Sequence, residues 1–405
     1  PLPEYPRPQE KRAQWKNLNG RWEFAGARKD EQPPFGRRLA EKITVPFPVE
    51  SQLSGIERHE DTCSTAGSLP SPRLARRHRA APQAQLRRRR LRSAGLGQRQ
   101  AGGPAHRRLH RFSADITDAL KKSGQQEIIV GVTDTGGANQ PKGKQTPRPG
   151  GIFYTQSSGI WQTVWMEPVA RTAVDRIVST PDIGSSTLKV TAESRNASPR
   201  AQVTAVARDK SGRVVGRATG PANANLDLKV RNQHLWSPDD PYLYDLEVTL
   251  RDGGPKDSVK SYFGMRSIGV QKVGGHPKLV LNGKPFFSLA MLDQGFWPDG
   301  LHTQPSDDAL RFDLEGQKQL GFNAVRKHIK VESPRWYYHA DRIGLLVWQD
   351  FVSGTITDER GQQAFTEQGK EMMRQTHNSP AVGGYVVFNE GWGEWDRAAT
   401  GRLAE

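Results

Sequence analysis

The 405-residue sequence predicts a multidomain protein in which two β-sandwiches precede a set of alternating strands and helices. Three observations lead to this prediction. Short strands separated by proline and glycine turns run to about residue 168, and a second set of such strands runs to about residue 272. From about residue 273, apolar strands alternate with segments of helical period, which is typical of parallel β/α units.

The first predicted domain, residues 1–168, is a β-sandwich with almost no helical periodicity. One segment alternates around an Asn-Gly turn, a second enters a proline-marked loop, and the last alternates with Trp161 and Trp165 on one face. The predicted strands are residues 15–24, 43–49, 128–132 and 159–167.

The second predicted domain, residues 169–272, has the strand spacing of an immunoglobulin-like sandwich. Aromatic residues at 236–244 form a corner, and we interpret them as core packing. The predicted strands are residues 174–178, 188–192, 201–206 and 244–250.

The third predicted domain, residues 273–405, follows the β/α rhythm, and Ser306 is suited to cap its first helix. We predict a hairpin at 279–285, strands at 286–292, 323–326, 345–350 and 385–388, and helices at 306–320, 334–343 and 363–376. A (β/α)8 TIM barrel has eight strands and typically about 250 residues. Since four strands are predicted, we expect the N-terminal half of such a barrel.

The net charge of +16 comes mainly from one segment. Residues 63–111 hold thirteen arginines and no lysine, aspartate or glutamate, which leaves 16 − 13 = +3 for the rest of the chain. Residues 64–111 have no aromatic residue and no apolar period, so we expect an aberrant, disordered segment.

Three interpretations of residues 64–111 compete. A polyanion-binding insert would explain the charge, but aromatic residues for base stacking are missing. A solvated linker fits the composition. We favour a shift of reading frame, because residues 85–111 read one base later can encode a strand, an Asn-Gly hairpin turn and a second strand. The gene sequence across this segment distinguishes the three.

Other classes of protein and ligand find little support. Cys63 is the single cysteine, so no internal disulfide forms. No apolar run approaches the roughly 20 residues of a membrane span, and the first residues carry no signal pattern. We expect no metal, no cofactor, no nucleic-acid partner and no membrane partner, and the compartment and oligomeric state stay open.

The most informative motif is the sequence Phe-Asn-Glu-Gly-Trp-Gly-Glu-Trp-Asp at residues 388–396. The motif follows an apolar run that predicts a strand, and the glycine after the Asn-Glu pair is expected to end that strand. A carboxylate at the C-terminal tip of a barrel strand lies where the chemistry of such barrels takes place. The neighbouring tryptophans offer flat apolar faces that suit sugar rings.

Five segments, in order along the chain, resemble glycoside hydrolase family 2, the group of β-galactosidases, β-glucuronidases and β-mannosidases. They are residues 15–24, residues 158–167, Phe-Gly-Met-Arg at 263–266, Asn-Ala-Val-Arg at 323–326, and Phe-Asn-Glu-Gly-Trp at 388–392. The resemblance covers the chain except residues 64–111. It implies a sugar-binding, galactose-binding-like jelly roll, an immunoglobulin-like domain and a TIM barrel.

The resemblance implies that Glu390 is the general acid/base of a retaining exo-β-glycosidase. Such enzymes use two carboxylates roughly 5–5.5 Å apart, one to protonate the leaving oxygen and one to attack the anomeric carbon. Asn389 would then bind the sugar 2-hydroxyl. The other implied substrate-binding residues are Arg326, Asp350, His328, Trp348 and Trp392.

Alternative roles stay open for several of these residues. Arg326 is also suited to a structural ion pair, Asp350 to a helix cap, and Trp348 to the core, and an isolated histidine such as His328 more often serves structure. The family's Arg-x-Ser-His-Tyr-Pro pattern is Arg-Lys-His-Ile-Lys at 326–330 here, and its His-rich segment is replaced at 293–300. The sugar therefore cannot be assigned.

We expect a chain descended from a β-glycosidase of carbohydrate metabolism, with a β-linked glycoside as its partner. The nucleophile is expected beyond residue 405, and for that reason the isolated chain is expected to be truncated and inactive. The alternative is a non-catalytic carbohydrate-binding protein, whose sugar binding would not depend on Glu390 or Arg326.

Overall fold

The computed structural model describes residues 1–28, 31–69, 88–94, 98–100, 103–105, 111–117, 119–120 and 123–404. In this part of the chain most regular structure is β, and the helices are confined to the C-terminal third apart from two short 3-10 turns. Two pairs of antiparallel sheets precede a parallel sheet, so the order of strand types follows the sequence prediction. None of the helices in the described residues is long and apolar enough to cross a membrane.

The first unit packs two four-stranded antiparallel sheets, β1-β12-β5-β8 and β3-β2-β4-β9, around buried side chains such as Phe24, Ile43 and Val164. Its strands are β1 (Lys16–Asn17), β2 (Gly20–Gly26), β3 (Glu41–Val45), β4 (Thr62–Leu69), β5 (Arg88–Ala94), β6 (Gln98–Gln100), β7 (Gly103–Ala105), β8 (Arg111–Asp115), β9 (Gln126–Thr133), β10 (Gln145–Thr146), β11 (Tyr154–Thr155) and β12 (Val164–Val169).

Two details differ from the predicted strands. The Asn-Gly turn at 19–20 joins strands of different sheets, because β1 pairs with β12 whereas β2 pairs with β3 and β4. The predicted strand 159–167 begins only at Val164. Trp161 lies before the strand and packs edge-on against His302, with ring centroids 5.2 Å apart.

Part of the arginine-rich segment is described. Residues 64–69 belong to β4, which pairs with β9, and residues 88–94 form β5, which lies between β12 and β8. At these positions the backbone forms regular strands, which differs from the expected disorder. Residues 70–87, 95–97, 101–102 and 106–110 of that segment lie outside the described residues.

The second unit is an antiparallel sandwich of the sheets β13-β14-β17 and β16-β15-β18-β19. All four predicted strands are present, and the sequence analysis missed β16, β17 and β19, whose apolar residues alternate with glycine or charged residues. Trp236 and Tyr244 are buried, which confirms the core interpretation of that corner. The strands are β13 (Ala173–Asp182), β14 (Thr187–Arg195), β15 (Gln202–Arg208), β16 (Val214–Pro221), β17 (Asn225–Lys229), β18 (Tyr244–Arg251) and β19 (Asp257–Phe263).

The third unit joins a small antiparallel sheet, β20-β21-β22, to a parallel sheet, β23-β24-β25-β26. The Ser306 hydroxyl accepts the Ala309 amide and caps the first helix, as predicted. The elements are β20 (Ile268–Val273), β21 (His276–Leu281), β22 (Lys284–Pro285), β23 (Ala290–Asp293), α1 (Asp307–Gln319), β24 (Ala324–Lys327), α2 (Pro334–Ile343), β25 (Leu346–Asp350), α3 (Glu359–Thr376), β26 (Val382–Val386) and α4 (Arg397–Ala404).

The last parallel strand is shifted relative to its prediction at 385–388. Gly383 and Gly384 lie within β26, where Gly384 pairs with Trp348. Glycine is required at both positions, because an added Cβ would come within 3.0 Å of Leu346 and 2.8 Å of the Trp348 ring, respectively. Phe388 instead leaves the sheet and stacks on Phe365 of α3, with ring centroids 5.0 Å apart. The Asn-Glu pair therefore begins three residues beyond the strand, not at its last residue.

A buried ionic junction ties the N-terminal segment to both sandwiches. Arg12 binds Asp257 through Nε and Nη2, at 3.1 and 2.8 Å, and Glu167 through Nη1 at 3.2 Å. Glu167 also accepts hydrogen bonds from the Tyr5 hydroxyl and the Trp165 indole. Removing Arg12 would take a cation away from two buried carboxylates, so this contact helps fix how the units are joined.

Candidate functional site

The parallel sheet sets the first row of the site. Its register places Leu292, Arg326, Trp348 and Gly384 side by side on four neighbouring strands. Residues in register on parallel strands point to the same face. Leu292 is half exposed and the Arg326 side chain is 31% exposed, so solvent reaches this face.

Asp350, the last residue of β25, is the centre of a hydrogen-bonded network. Arg326 binds it in a bidentate pair, Nε to Oδ1 at 2.9 Å and Nη2 to Oδ2 at 3.0 Å. His328 Nδ1 lies 2.8 Å from the same Oδ2. The Asp350 side chain is 1% exposed, and this planar arrangement fixes the guanidinium beside it. The contacts fit the ion-pair role left open for Arg326 and do not make Asp350 a helix cap.

Arg326 extends the network to the Asn-Glu motif. Its Nη2 donates to Asn389 Oδ1 at 2.8 Å. The Trp392 amide donates to the Asn389 carbonyl at 2.8 Å, and the residues between them, Glu390 and Gly391, both have positive φ, +55° and +71°. Such φ values are those of a type I′ turn. The turn presents the exposed Glu390 beyond the end of β26.

The two predicted tryptophan platforms have different surroundings. Trp348 packs over Gly384, donates its indole N–H to Ser288 Oγ at 2.9 Å, and is one of the partly buried residues packed against the hydrophobic core of the third unit. This supports the core role that was left open. Trp392 is half-buried, and its ring lies edge-on to Phe153, with centroids 6.5 Å apart.

Lys327 and Lys330 of the Arg-Lys-His-Ile-Lys segment lie away from this network, in a buried ionic cluster. Lys327 contacts Asp293 at 2.8 Å and Glu332 at 3.0 Å, and Lys330 contacts Glu332 at 2.8 Å. Burial lowers the pKa of Lys327, but the two carboxylates raise it further, so the net shift is upward. For Lys330, burial dominates and lowers the pKa. This part of the departure from the family pattern is therefore structural.

The sequence analysis missed a contribution from the first unit. Residues 150–153 form a turn whose Phe153 reaches Trp392, and Tyr154 stacks on Phe296 of the third unit with centroids 4.0 Å apart. The available signal was Gly-Gly followed by two large apolar residues, since adjacent apolar residues exposed on a turn can belong to a contact or ligand surface.

A family model and several curated proteins match this chain. Residues 172–266 match the family described as Glycosyl hydrolases family 2. A putative beta-glucuronidase of Formosa agariphila is 25% identical over 300 residues, which are 69% of this chain and 34% of that protein. A beta-galactosidase of Photobacterium profundum is 25% identical over 260 residues, 58% of this chain and 25% of the relative.

Solved structures share the fold. The b-glucuronidase from Ruminococcus gnavus in complex with D-glucuronic acid has a TM-score of 0.78 at 16% identity, over 99% of this chain and 71% of that one. An FMN-binding beta-glucuronidase from Facaelibacterium prausnitzii L2-6 has a TM-score of 0.74 at 22% identity, over 96% and 60%.

The fold is thus the multidomain, β-rich fold found in glycoside hydrolases. Residues 172–266 match glycoside hydrolase family 2, and the chain is similar over longer stretches to curated proteins named beta-glucuronidase and beta-galactosidase. The chain spans about a third of the length of the first of these curated relatives.

Proposed function

We propose that this chain carries the proton-donor half of a retaining exo-β-glycosidase site. The observation that supports it most is the continuous hydrogen-bonded network from His328 through Asp350 and Arg326 to Asn389, next to Glu390. It joins the ends of three parallel strands or the loops that follow them, which is where barrel enzymes bind substrate.

Each residue of the network has a role in this proposal. Asn389 Oδ1 is engaged by Arg326, so the Asn389 amide N–H is free to turn toward a sugar hydroxyl. Glu390 gives its proton to the glycosidic oxygen. Asp350 and Arg326 orient one another and Asn389, and His328 holds Asp350 from the other side.

Asp350 is poorly suited to be the nucleophile. It already accepts three hydrogen bonds, two from Arg326 and one at His328, and an attacking carboxylate needs a free oxygen facing the anomeric carbon. We propose that the second catalytic carboxylate belongs to the part of the longer relatives that this chain does not cover. The four parallel strands would then be the first half of a (β/α)8 barrel, after a jelly roll and an immunoglobulin-like domain.

The substrate class in this proposal is a β-linked glycoside. The names of the relatives favour glucuronides and galactosides as the first probes. Binding is tested by titration calorimetry of the 405-residue chain with methyl β-D-glucuronide and methyl β-D-galactoside. We expect one of them to bind, and Asn389→Ala and Arg326→Met to weaken its affinity at least tenfold, about 1.4 kcal/mol. Lys272→Met, at an exposed lysine of β20, is the matched control.

Turnover is a separate readout. With phenyl β-glycosides we expect no hydrolysis by the 405-residue chain, because only the donor half of the carboxylate pair is present. Hydrolysis that Glu390→Gln abolishes would contradict this. Binding that is unchanged by Asn389→Ala, Arg326→Met and Glu390→Gln would favour a carbohydrate-binding protein with its site elsewhere.

A further inference from the structure

The turn at residues 150–153 is a defined piece of structure. β10 and β11 pair in parallel at its base, and Gly150 and Phe153 exchange backbone hydrogen bonds of 3.2 and 3.1 Å. Gly151 has a φ of +58°, which favours glycine at the bend. Ile152 is 65% exposed and Phe153 is 41% exposed, so this turn, here called the 150–153 turn, presents two apolar side chains to solvent.

Contacts with the third unit hold the 150–153 turn in place. Tyr154 stacks on Phe296, which follows β23, with an interplanar angle of 9°. The preceding segment pairs with the loop after β25, since the Asn139 amide donates to the Thr355 carbonyl at 2.7 Å and the Gly143 amide to the Ser353 carbonyl at 2.8 Å. The turn is thus anchored to loops that follow two strands of the parallel sheet.

The 150–153 turn reaches the candidate site through Trp392. The Phe153 ring meets the Trp392 ring edge-on, at 88°. Trp392 closes the turn that holds Glu390, through its amide hydrogen bond to the Asn389 carbonyl. An apolar surface made of Ile152, Phe153 and Trp392 therefore adjoins the turn that holds the proposed proton donor.

The chemistry of the proposed reaction indicates what this surface contacts. A general acid protonates the glycosidic oxygen, the atom that departs with the leaving group. Asn389 and Arg326 would hold the sugar, and the adjoining Trp392 and 150–153 turn are then left to contact the leaving group. Ile152 and Phe153 have no side-chain hydrogen-bonding atoms, and a second sugar would need partners for its hydroxyls.

We infer that Ile152, Phe153 and Trp392 form a subsite for an apolar, aromatic leaving group of the glycoside. This inference rests on the proposed function and makes it more specific. The first domain then contributes to substrate choice while the third domain supplies the acid.

The test compares phenyl and methyl β-glycosides of the same sugar by titration calorimetry on the 405-residue chain. We expect the phenyl glycoside to bind about tenfold more tightly. Phe153→Ser should remove that advantage and leave the affinity for the methyl glycoside unchanged, and Phe153→Leu should retain part of it. Phe312→Ser, at an exposed phenylalanine of α1, is the matched control and should change neither affinity.

Three results would overturn the inference. Equal affinities for phenyl and methyl glycosides would show that the surface contributes nothing. An equal effect of Phe153→Ser on both glycosides would assign the surface to the sugar. If Phe153 increases the affinity for a disaccharide as much as the affinity for the phenyl glycoside, the surface would be a second sugar subsite. In all three cases the proposed function stands. If neither glycoside binds, the proposed function itself fails.

Discussion

Neighbouring residues of β24 carry cations to opposite faces of the same parallel sheet. On one face, Arg326 is partly exposed and binds Asp350 and Asn389. On the other, Lys327 is fully buried between Asp293 and Glu332, and its ammonium lies 4.3 Å from the centroid of the Trp336 ring. The two cations therefore differ in role because they differ in exposure to solvent. Arg326 on the open face can exchange a protein partner for a ligand, whereas Lys327 on the buried face cannot.

The largest effect is expected on the buried face. Lys327→Met keeps the length of the side chain but leaves Asp293 and Glu332 short of a cation, so we expect a loss of about 3–5 kcal/mol in the free energy of unfolding. Denaturant unfolding measures it. The exposed Lys272→Met should change stability by less than about 0.5 kcal/mol. A loss below about 1 kcal/mol for Lys327→Met would mean that the two faces do not differ as described.

Asp341 extends the comparison, because its hydrogen-bond partners are neutral and Arg266 is the charged group that acts on it. Tyr262 donates to its Oδ2 at 2.7 Å, and the Ser379 hydroxyl and Ala381 amide donate to its Oδ1. Burial raises the pKa of Asp341 to about 7. Asp293 is the opposite case: burial raises its pKa, but Lys327, Lys330 and the Gly295 amide together lower it more, so the net shift is downward.

The two carboxylates predict opposite dependence of stability on pH. Between the ordinary pKa near 4 and about 7, folded Asp341 keeps a proton that the unfolded chain loses, so its contribution falls as pH rises, by up to about 1.4 kcal/mol per pH unit. The contribution of Asp293 is present above its unfolded pKa and is lost as pH falls through the lower, folded value. The contribution of Asp341 is measured by comparing the free energies of unfolding of wild type and Asp341→Asn at pH 4.5 and pH 7. An equal change in the free energy of unfolding of the two proteins between these pH values would contradict the predicted role of Asp341.

On the open face, the effect on stability should be small and the effect on binding large. Arg326, itself 31% exposed, covers Asp350, so Arg326→Met lets water reach Asp350, which keeps its contact with His328, and we expect a loss of about 1–2 kcal/mol in stability. Arg326→Lys keeps the charge but cannot form the bidentate pair, and it should bind a methyl glycoside less tightly than wild type. If Arg326→Met were as destabilising as Lys327→Met, the open face would be structural too.

The smallest effect is expected at Glu390. Its positive φ costs a residue with a Cβ about 1 kcal/mol, part of which glycine recovers. Glu390→Gly should therefore raise the free energy of unfolding by about 0.5 kcal/mol, whereas Glu390→Ala should not. Thermal unfolding of the two variants measures the difference. No gain for glycine would mean that the turn is not strained.

Local signals account for what the sequence predicted well. The helix at 334–343 was predicted with its observed bounds, because a proline begins it and Gly344 ends it. Asp350, Arg326 and Asn389 were singled out because each lies at or near the end of an apolar strand. Distant contacts account for the rest: β26 includes two glycines that only Leu346 and Trp348 explain, and nothing near Lys327 in sequence indicates the far carboxylate of Asp293.

The 150–153 turn gives the molecule two separate routes of evolutionary change. It is encoded more than 200 residues before Glu390, in a segment whose backbone contacts to the third unit do not depend on the side chains of Ile152 and Phe153. If the turn contacts the leaving group as inferred, substitutions at those two positions would alter which leaving group is preferred and leave the backbone of the donor turn and the ionic cluster beneath the sheet unchanged. In a family that has diverged on one scaffold, such a turn is where new substrate preference can arise at the least cost to folding.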